Sequence, residues 1–159
     1  MCPEIDEAKC TNCGLCKKTC PVLNKKEQQE KVVQAYADIS KDESVRKNSS
    51  SGGVFNHLAK YVLNKNGVVF GASFDENFKV IHAYVENEND IIKLQKSKYV
   101  QSEIGRTYKE AKNFLAQGRF VLFTGTPCQI GGLQAYLKKD YDNLITQDFI
   151  CHGVPSLKV

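Results

Sequence analysis

Phe120-Val121-Leu122-Phe123-Thr124-Gly125-Thr126-Pro127-Cys128 joins a continuous apolar run to a helix start. An unbroken apolar run is what a strand covered on both faces requires. Thr126 is suited to cap a helix, with Pro127 at its first position, where the missing N–H costs nothing. Ile130, Leu133 and Leu137 then share one face, which predicts a helix from about Cys128 to Lys138. Leu144-Ile145-Thr146-Gln147-Asp148-Phe149-Ile150 reads as the next strand. Strand, helix and strand with so long a connection give a parallel pair and a right-handed crossover. Cys128 and Cys151 then fall just beyond the C-terminal ends of those strands, the edge where open α/β sheets hold ligands. With His152 they are candidates to line one crevice, as cluster ligands or as residues against a redox cofactor. Two buried thiols acting as small apolar residues fit the same pattern.

Working back towards the N-terminus, Val68–Phe74 and Phe78–Val85 flank Asp75-Glu76-Asn77 and predict a hairpin. Asn89–Gln95 predicts a short helix, and Gly105–Ala116 an amphipathic one. Val32-Val33-Gln34-Ala35-Tyr36-Ala37 reads as a strand from its β-branched and aromatic residues. Ser49-Ser50-Ser51-Gly52-Gly53 precedes a helical stripe at 54, 55, 58, 61 and 62, with Ser51 as the N-cap and Gly67 as the stop. Two readings of this string stand side by side. Its glycines allow a phosphate to approach the first N–H groups of a helix, or it is an ordinary capped helix. His57 and His82 lie on helical and strand patterns and read as structural or exposed rather than catalytic.

The first twenty-one residues carry Cys10-Thr11-Asn12-Cys13-Gly14-Leu15-Cys16-Lys17-Lys18-Thr19-Cys20-Pro21, a C-x2-C-x2-C-x3-C-P run. This spacing curls successive thiolates round a [4Fe-4S] cluster. A zinc site would favour ligand pairs parted by a longer loop, and no His lies nearby. Cys10, Cys13, Cys16 and Cys20 are the candidate ligands. In two-cluster proteins the last Cys of such a run serves the other cluster, so Cys2 or a remote Cys stands as an alternative to Cys20.

At 159 residues the chain suits one domain, or a small module plus one domain. The expected division is a ferredoxin-type [4Fe-4S] segment over 1–30 and an α/β domain over 31–159. The fold class is α+β or α/β, a short ferredoxin-like segment followed by a mixed α/β domain with a parallel strand–helix–strand unit. Hydrophobic content of 42% and charged content of 25% are those of an ordinary globular chain. The net charge of +4 is spread as Lys along the sequence. No basic block interleaved with aromatics points to nucleic acid. No apolar stretch reaches the roughly 20 residues of a membrane span, and no signal-peptide pattern opens the chain. The seven Cys then belong in a reducing compartment, where thiolates serve metals or catalysis, so a cytoplasmic protein is expected.

Several strings together resemble the coenzyme F-420 hydrogenase/dehydrogenase beta subunit family. They are Pro3-Glu4-Ile5-Asp6 ahead of the cysteine run, Ser50-Ser51-Gly52-Gly53, Ser97-Lys98-Tyr99-Val100-Gln101-Ser102, Thr124-Gly125-Thr126-Pro127-Cys128-Gln129 and Cys151-His152-Gly153-Val154-Pro155-Ser156. The resemblance implies an iron–sulfur flavoprotein oxidoreductase subunit passing electrons between a [4Fe-4S] cluster and FAD, then to a deazaflavin or another acceptor. It implies that Ser51, Gly52 and Gly53 help to hold FAD and that Lys98, Tyr99, Gln101, Thr126 and Cys128 lie close to it. It also implies a redox partner subunit or ferredoxin-like donor, and a small-molecule acceptor. Members carry a complete first cysteine run and continue well past the Cys-His-Gly-Val-Pro-Ser string, so a piece truncated at both ends is expected. The competing expectation is a ferredoxin-like electron-transfer adaptor without catalysis, or an inactive fragment. The sequence singles out no catalytic residue.

Overall fold

The computed structural model describes residues 5–19, 23 and 34–155. The chain divides into two compact units, Met1–Val33 and Gln34–Val159. Cys2, Cys20, Pro21 and the start of the strand expected at Val32 lie outside the described residues.

In the first unit a turn over residues 7–9 precedes a short helix, α1 (Leu15–Thr19). Asn12 and Gly14 sit in the left-handed region, at φ 54° and 70°. Asn and Gly are the residues that tolerate it. Each of these left-handed residues falls between successive cysteines.

The second unit runs α2 (Glu43–Lys47), α3 (Val54–Leu63), β1 (Val68–Phe74), β2 (Val80–Val85), a 3₁₀ turn at Glu88–Asp90, α4 (Ile91–Leu94), α5 (Thr107–Ala116), β3 (Val121–Gly125), α6 (Pro127–Leu137) and β4 (Leu144–Asp148). Among the described residues the strands form one sheet in the order β2-β1-β3-β4. β1 and β2 are the antiparallel hairpin, and β1, β3 and β4 are mutually parallel. The expected strand–helix–strand unit is therefore present, with α6 joining β3 to the parallel β4.

The two central strands are buried on both faces, as their apolar runs require. Val68, Phe70, Val121 and Phe123 face α5 and α6 and pack with Ala111, Leu115, Ile130, Leu133 and Leu137. Val69 and Leu122 point the other way, against Ala59, Val62 and Leu63 of α3 and Ile91 and Leu94 of α4. The alternation along each strand thus feeds two cores, and the sheet is sandwiched between helices. Phe123 stacks on Phe70 with ring centres 5.3 Å apart.

Two expectations are corrected. Residues 34–39 are not a strand. Their side chains are exposed, Tyr36 82% so, and there is no buried face to reward sheet pairing. Instead the Ser40 N–H donates to the Gly52 carbonyl at 2.7 Å, so this segment runs against the glycine string. The N-cap of α3 is Gly53, not Ser51. Gly53 has φ 92°, and a Cβ there would sit 2.9 Å from Val45 Cγ1. A Cβ on Gly52 would sit 2.5 Å from the Asp38 carbonyl oxygen. Both glycines are therefore demanded by close chain packing.

Candidate functional site

The C-terminal ends of β1, β3 and β4 share one edge of the sheet because the three strands are parallel. Three of the sequence strings singled out above meet there or beside it, stitched by hydrogen bonds. The Ser97 N–H donates to Ser50 Oγ at 3.0 Å, tying the serine–glycine string to the loop that follows α4. Gln129 Nε2 donates to Ser102 Oγ at 2.8 Å, tying the same loop to the start of α6.

Lys98 is half-buried in that loop. Its Nζ donates to the Gln95 carbonyl at 2.6 Å and the Lys93 carbonyl at 3.3 Å, and lies 6.0 Å from the ring centre of Phe74, the last residue of β1. Burial pushes its ammonium down to about 8. Loss of hydration disfavours the charged form, and no carboxylate offsets it. Tyr99 is 80% exposed beside it, and Gln101 is exposed.

At the end of β3, Thr126 and Gln129 form a capping box with Pro127 at the first helical position. The Thr126 N–H donates to Gln129 Oε1 at 3.0 Å. Thr126 Oγ1 and Cys128 Sγ are 3.0 Å apart, and the Cys128 side chain is exposed. Tyr108 reaches over from α5, its hydroxyl donating to the Gln129 carbonyl at 2.8 Å. Burial first, and then the Cys128 sulfur, raise the Tyr108 phenol above its ordinary range. Cys151 follows the end of β4 and is half-buried. Phe74, Phe149 and Ile150 are exposed at strand ends on this edge, offering flat apolar surface next to the polar groups. A cavity of about 450 Å³ opens instead at the N-terminal ends of β3 and β4, lined among others by Leu115, Phe120, Tyr141 and Asn143, none of which belongs to these groups.

The strand pattern around His82 predicts a structural or exposed side chain, and the structure makes it a buried, structural one. It is 5% exposed. Ala72 pairs with it across the hairpin and is small enough for the imidazole to pass over β1. The ring stacks on Phe123 at 5.0 Å, and Nε2 donates to the Thr124 carbonyl at 2.9 Å. Nδ1 meets Ser102 Oγ at 3.2 Å. Burial pushes this imidazole down to about 4. The unfolded chain therefore binds a proton near pH 6.5 that the folded protein refuses until about pH 4. Stability is full above the unfolded value and is lost as pH falls through this window. Between pH 7 and pH 5 the loss assignable to His82 is about 2 kcal/mol. Urea unfolding at the two pH values checks it, with His82→Gln expected to flatten the dependence by that amount. An inward position opposite a small residue in a hairpin was the signal for this burial.

The cysteine run presents Cys10, Cys13 and Cys16 at the surface as thiols outside any disulfide. The Leu15 N–H and then the Thr11 side chain hold the Cys13 thiol below its ordinary range. Among the described residues no three Cys, His, Asp or Glu side chains already converge on one point. Soft, exposed thiols parted by left-handed turns are a donor set for iron and sulfide, and binding itself gathers such ligands. Cys20 lies outside the described residues.

Residues 3–23 match the 4Fe-4S binding domain model. Residues 35–108 match the N-terminal model of the coenzyme F420 hydrogenase/dehydrogenase beta subunit. The chain is 31% identical over 132 residues to the coenzyme F420-dependent sulfite reductase of Methanocaldococcus jannaschii, a match over 82% of this chain and 21% of that protein. The chain belongs to the coenzyme F420 hydrogenase/dehydrogenase beta subunit family. It spans about a fifth of the length of that curated relative. Its fold is also that of a chain in the F420-reducing [NiFe] hydrogenase complex from Methanosarcina barkeri, with a TM-score of 0.61 and 24% identity over 76% of this chain and 44% of that one. The beta subunit family model covers the Ser50–Gly53 and Ser97–Ser102 strings. The cysteine run thus carries a [4Fe-4S]-binding signature within a redox family. Among the described residues no helix is long and apolar enough to cross a membrane.

Proposed function

We propose that this chain is part of an iron–sulfur flavoprotein oxidoreductase subunit that passes electrons between a [4Fe-4S] cluster and FAD, and on to coenzyme F420 or another acceptor. Its parts are a ferredoxin-type segment over 1–30 and the N-terminal portion of a flavin-binding α/β domain over 31–159. Cys10, Cys13, Cys16 and Cys20 hold the cluster in this reading. Ser51, Gly52 and Gly53 border the flavin, with Lys98, Tyr99, Gln101, Thr126 and Cys128 close to it. The partners are a redox subunit or ferredoxin-like donor and a small-molecule acceptor. The two family relatives whose names carry F420 support that acceptor class.

The observation that carries the reading is the stitching of three strings at the C-terminal edge through Ser50–Ser97 and Ser102–Gln129. Open α/β sheets bind their ligands at that edge. The groups present fit a flavin. Exposed Phe74, Tyr99, Phe149 and Ile150 suit a planar ring system, and Lys98 supplies a cation to an anionic portion. FAD supplies the exchange between one-electron carriers and a hydride acceptor; two electrons and one proton make the hydride. The chain's own residues orient the ring and shield one face of it from water.

The test is a fluorescence titration of the full chain with FAD. Wild type is expected to bind, and Lys98→Ala to weaken binding about tenfold, the scale of one charge-assisted contact. Binding unaffected by Lys98→Ala contradicts this placement of the flavin. Iron with no flavin binding favours the ferredoxin-like adaptor.

A further inference from the structure

A closed circuit of hydrogen bonds lies behind the edge just described. The Thr126 N–H donates to Gln129 Oε1 at 3.0 Å, and Gln129 Nε2 donates to Ser102 Oγ at 2.8 Å. Ser102 Oγ and His82 Nδ1 are 3.2 Å apart, and His82 Nε2 donates to the Thr124 carbonyl at 2.9 Å. The directions are forced. A carbonyl only accepts, so Nε2 of the neutral ring carries the hydrogen, Nδ1 accepts, and Ser102 must donate. A backbone N–H only donates, so the Gln129 amide must present its oxygen to Thr126 and its nitrogen to Ser102.

The circuit begins and ends on the two residues that flank Gly125. It therefore grips the β3–α6 turn from both sides, through a strand and a loop that are distant in sequence. Gly125 makes room for it, since a Cβ there would sit 2.8 Å from Gln129 Oε1. His82 and Ser102 are 5% and 7% exposed, so water offers no substitute partner for a broken link. With the Gln129 amide engaged at both ends, the exposed residues of this turn are Pro127 and Cys128, with the half-buried Thr126 Oγ1 3.0 Å from the Cys128 sulfur.

We propose that His82, Ser102 and Gln129 are positioning residues: their circuit fixes the turn that presents the Thr126–Cys128 pair to the ligand. That the ligand is a flavin rests on the reading given above, but the positioning itself does not. A link removed from the middle should release the Gln129 amide and the turn together. The consequence should then appear at Cys128, which touches neither His82 nor Ser102 in the circuit.

The experiment compares wild type, Ser102→Ala and Ser102→Thr as full chains without flavin. The alkylation rate of Cys128 by iodoacetamide is followed by peptide mass spectrometry, alongside FAD titration of the same proteins. Ser102→Ala is expected to change the Cys128 rate about threefold or more while the protein stays folded, and Ser102→Thr, which restores a hydroxyl, to bring it back. Where FAD binds wild type, Ser102→Ala should weaken it about tenfold. If wild type binds no FAD yet the Cys128 rate follows the hydroxyl, the positioning stands and the flavin reading falls. An unchanged Cys128 rate in folded Ser102→Ala overturns the proposal. Should Ser102→Ala not fold, His82→Phe is the second variant. Its ring can still stack on Phe123 but offers Ser102 no acceptor and Thr124 no donor, and the same change at Cys128 is expected.

Discussion

Cys13→Ser is expected to abolish the iron–sulfur chromophore of anaerobically reconstituted protein. Cys13 is the middle cysteine of the C-x2-C-x2-C spacing, and the Leu15 N–H and Thr11 side chain already favour its thiolate. The same backbone N–H can hold the sulfur once it is bound to iron, and such bonds tune a cluster's potential. A serine at this position is a poor ligand for two reasons. Its hydroxyl does not ionise near neutral pH, and oxygen is a harder donor than iron–sulfur clusters select. The fold of the second unit should be unaffected, because it carries its own two cores. Iron and sulfide analysis with the visible spectrum checks this. Full iron and sulfide in Cys13→Ser would remove Cys13 from the ligand set.

Phe123→Ala carries the next largest effect, on stability. The ring is fully buried, and contacts Phe70 at 5.3 Å, His82 at 5.0 Å and Tyr108 at 5.8 Å between centres. Truncating a buried Phe costs about 3–5 kcal/mol through lost transfer energy and the cavity left behind. That is a large share of the roughly 5–15 kcal/mol a domain possesses. It also removes the surface on which His82 is stacked, so the β3–α6 turn loses a support together with the core. Phe149→Ala, at a side chain 59% exposed, should cost less than about 0.5 kcal/mol. Urea unfolding of both variants separates them. A cost below about 1 kcal/mol for Phe123→Ala would contradict the two-core packing of the sheet.

Elements whose apolar pattern reports burial directly were readable from the sequence. Phe120–Phe123 announced a central strand, and Thr126-Pro127 announced the helix start within one residue, because a cap and an N1 proline are local chemistry. The hairpin followed from its short turn, with Phe74 pairing Val80. Tyr36 misled because β-propensity measures fit to a half-buried pleated surface, and that segment has no such surface to join. Residue type alone points to Ser51 as the cap, but the entry of α3 is decided by the close approach of residues 38–45 to Gly52 and Gly53. The two glycines are thus explained by packing, whatever else they border. The His82–Ser102–Gln129 circuit was invisible, since it joins three segments 20 and 27 residues apart through side-chain directions that only the folded sheet defines. Lys98 was singled out by its string, but its half-buried state depends on the carbonyls of Lys93 and Gln95 turning towards it.

The most direct measurement is the content of iron, acid-labile sulfide and FAD in one oxygen-free sample of the full chain after reconstitution. About four iron and four sulfide per chain are expected, as one cubane cluster contains, together with one FAD. Zinc without sulfide would contradict the cluster, and a full complement of iron and sulfide with no FAD would contradict the flavin edge.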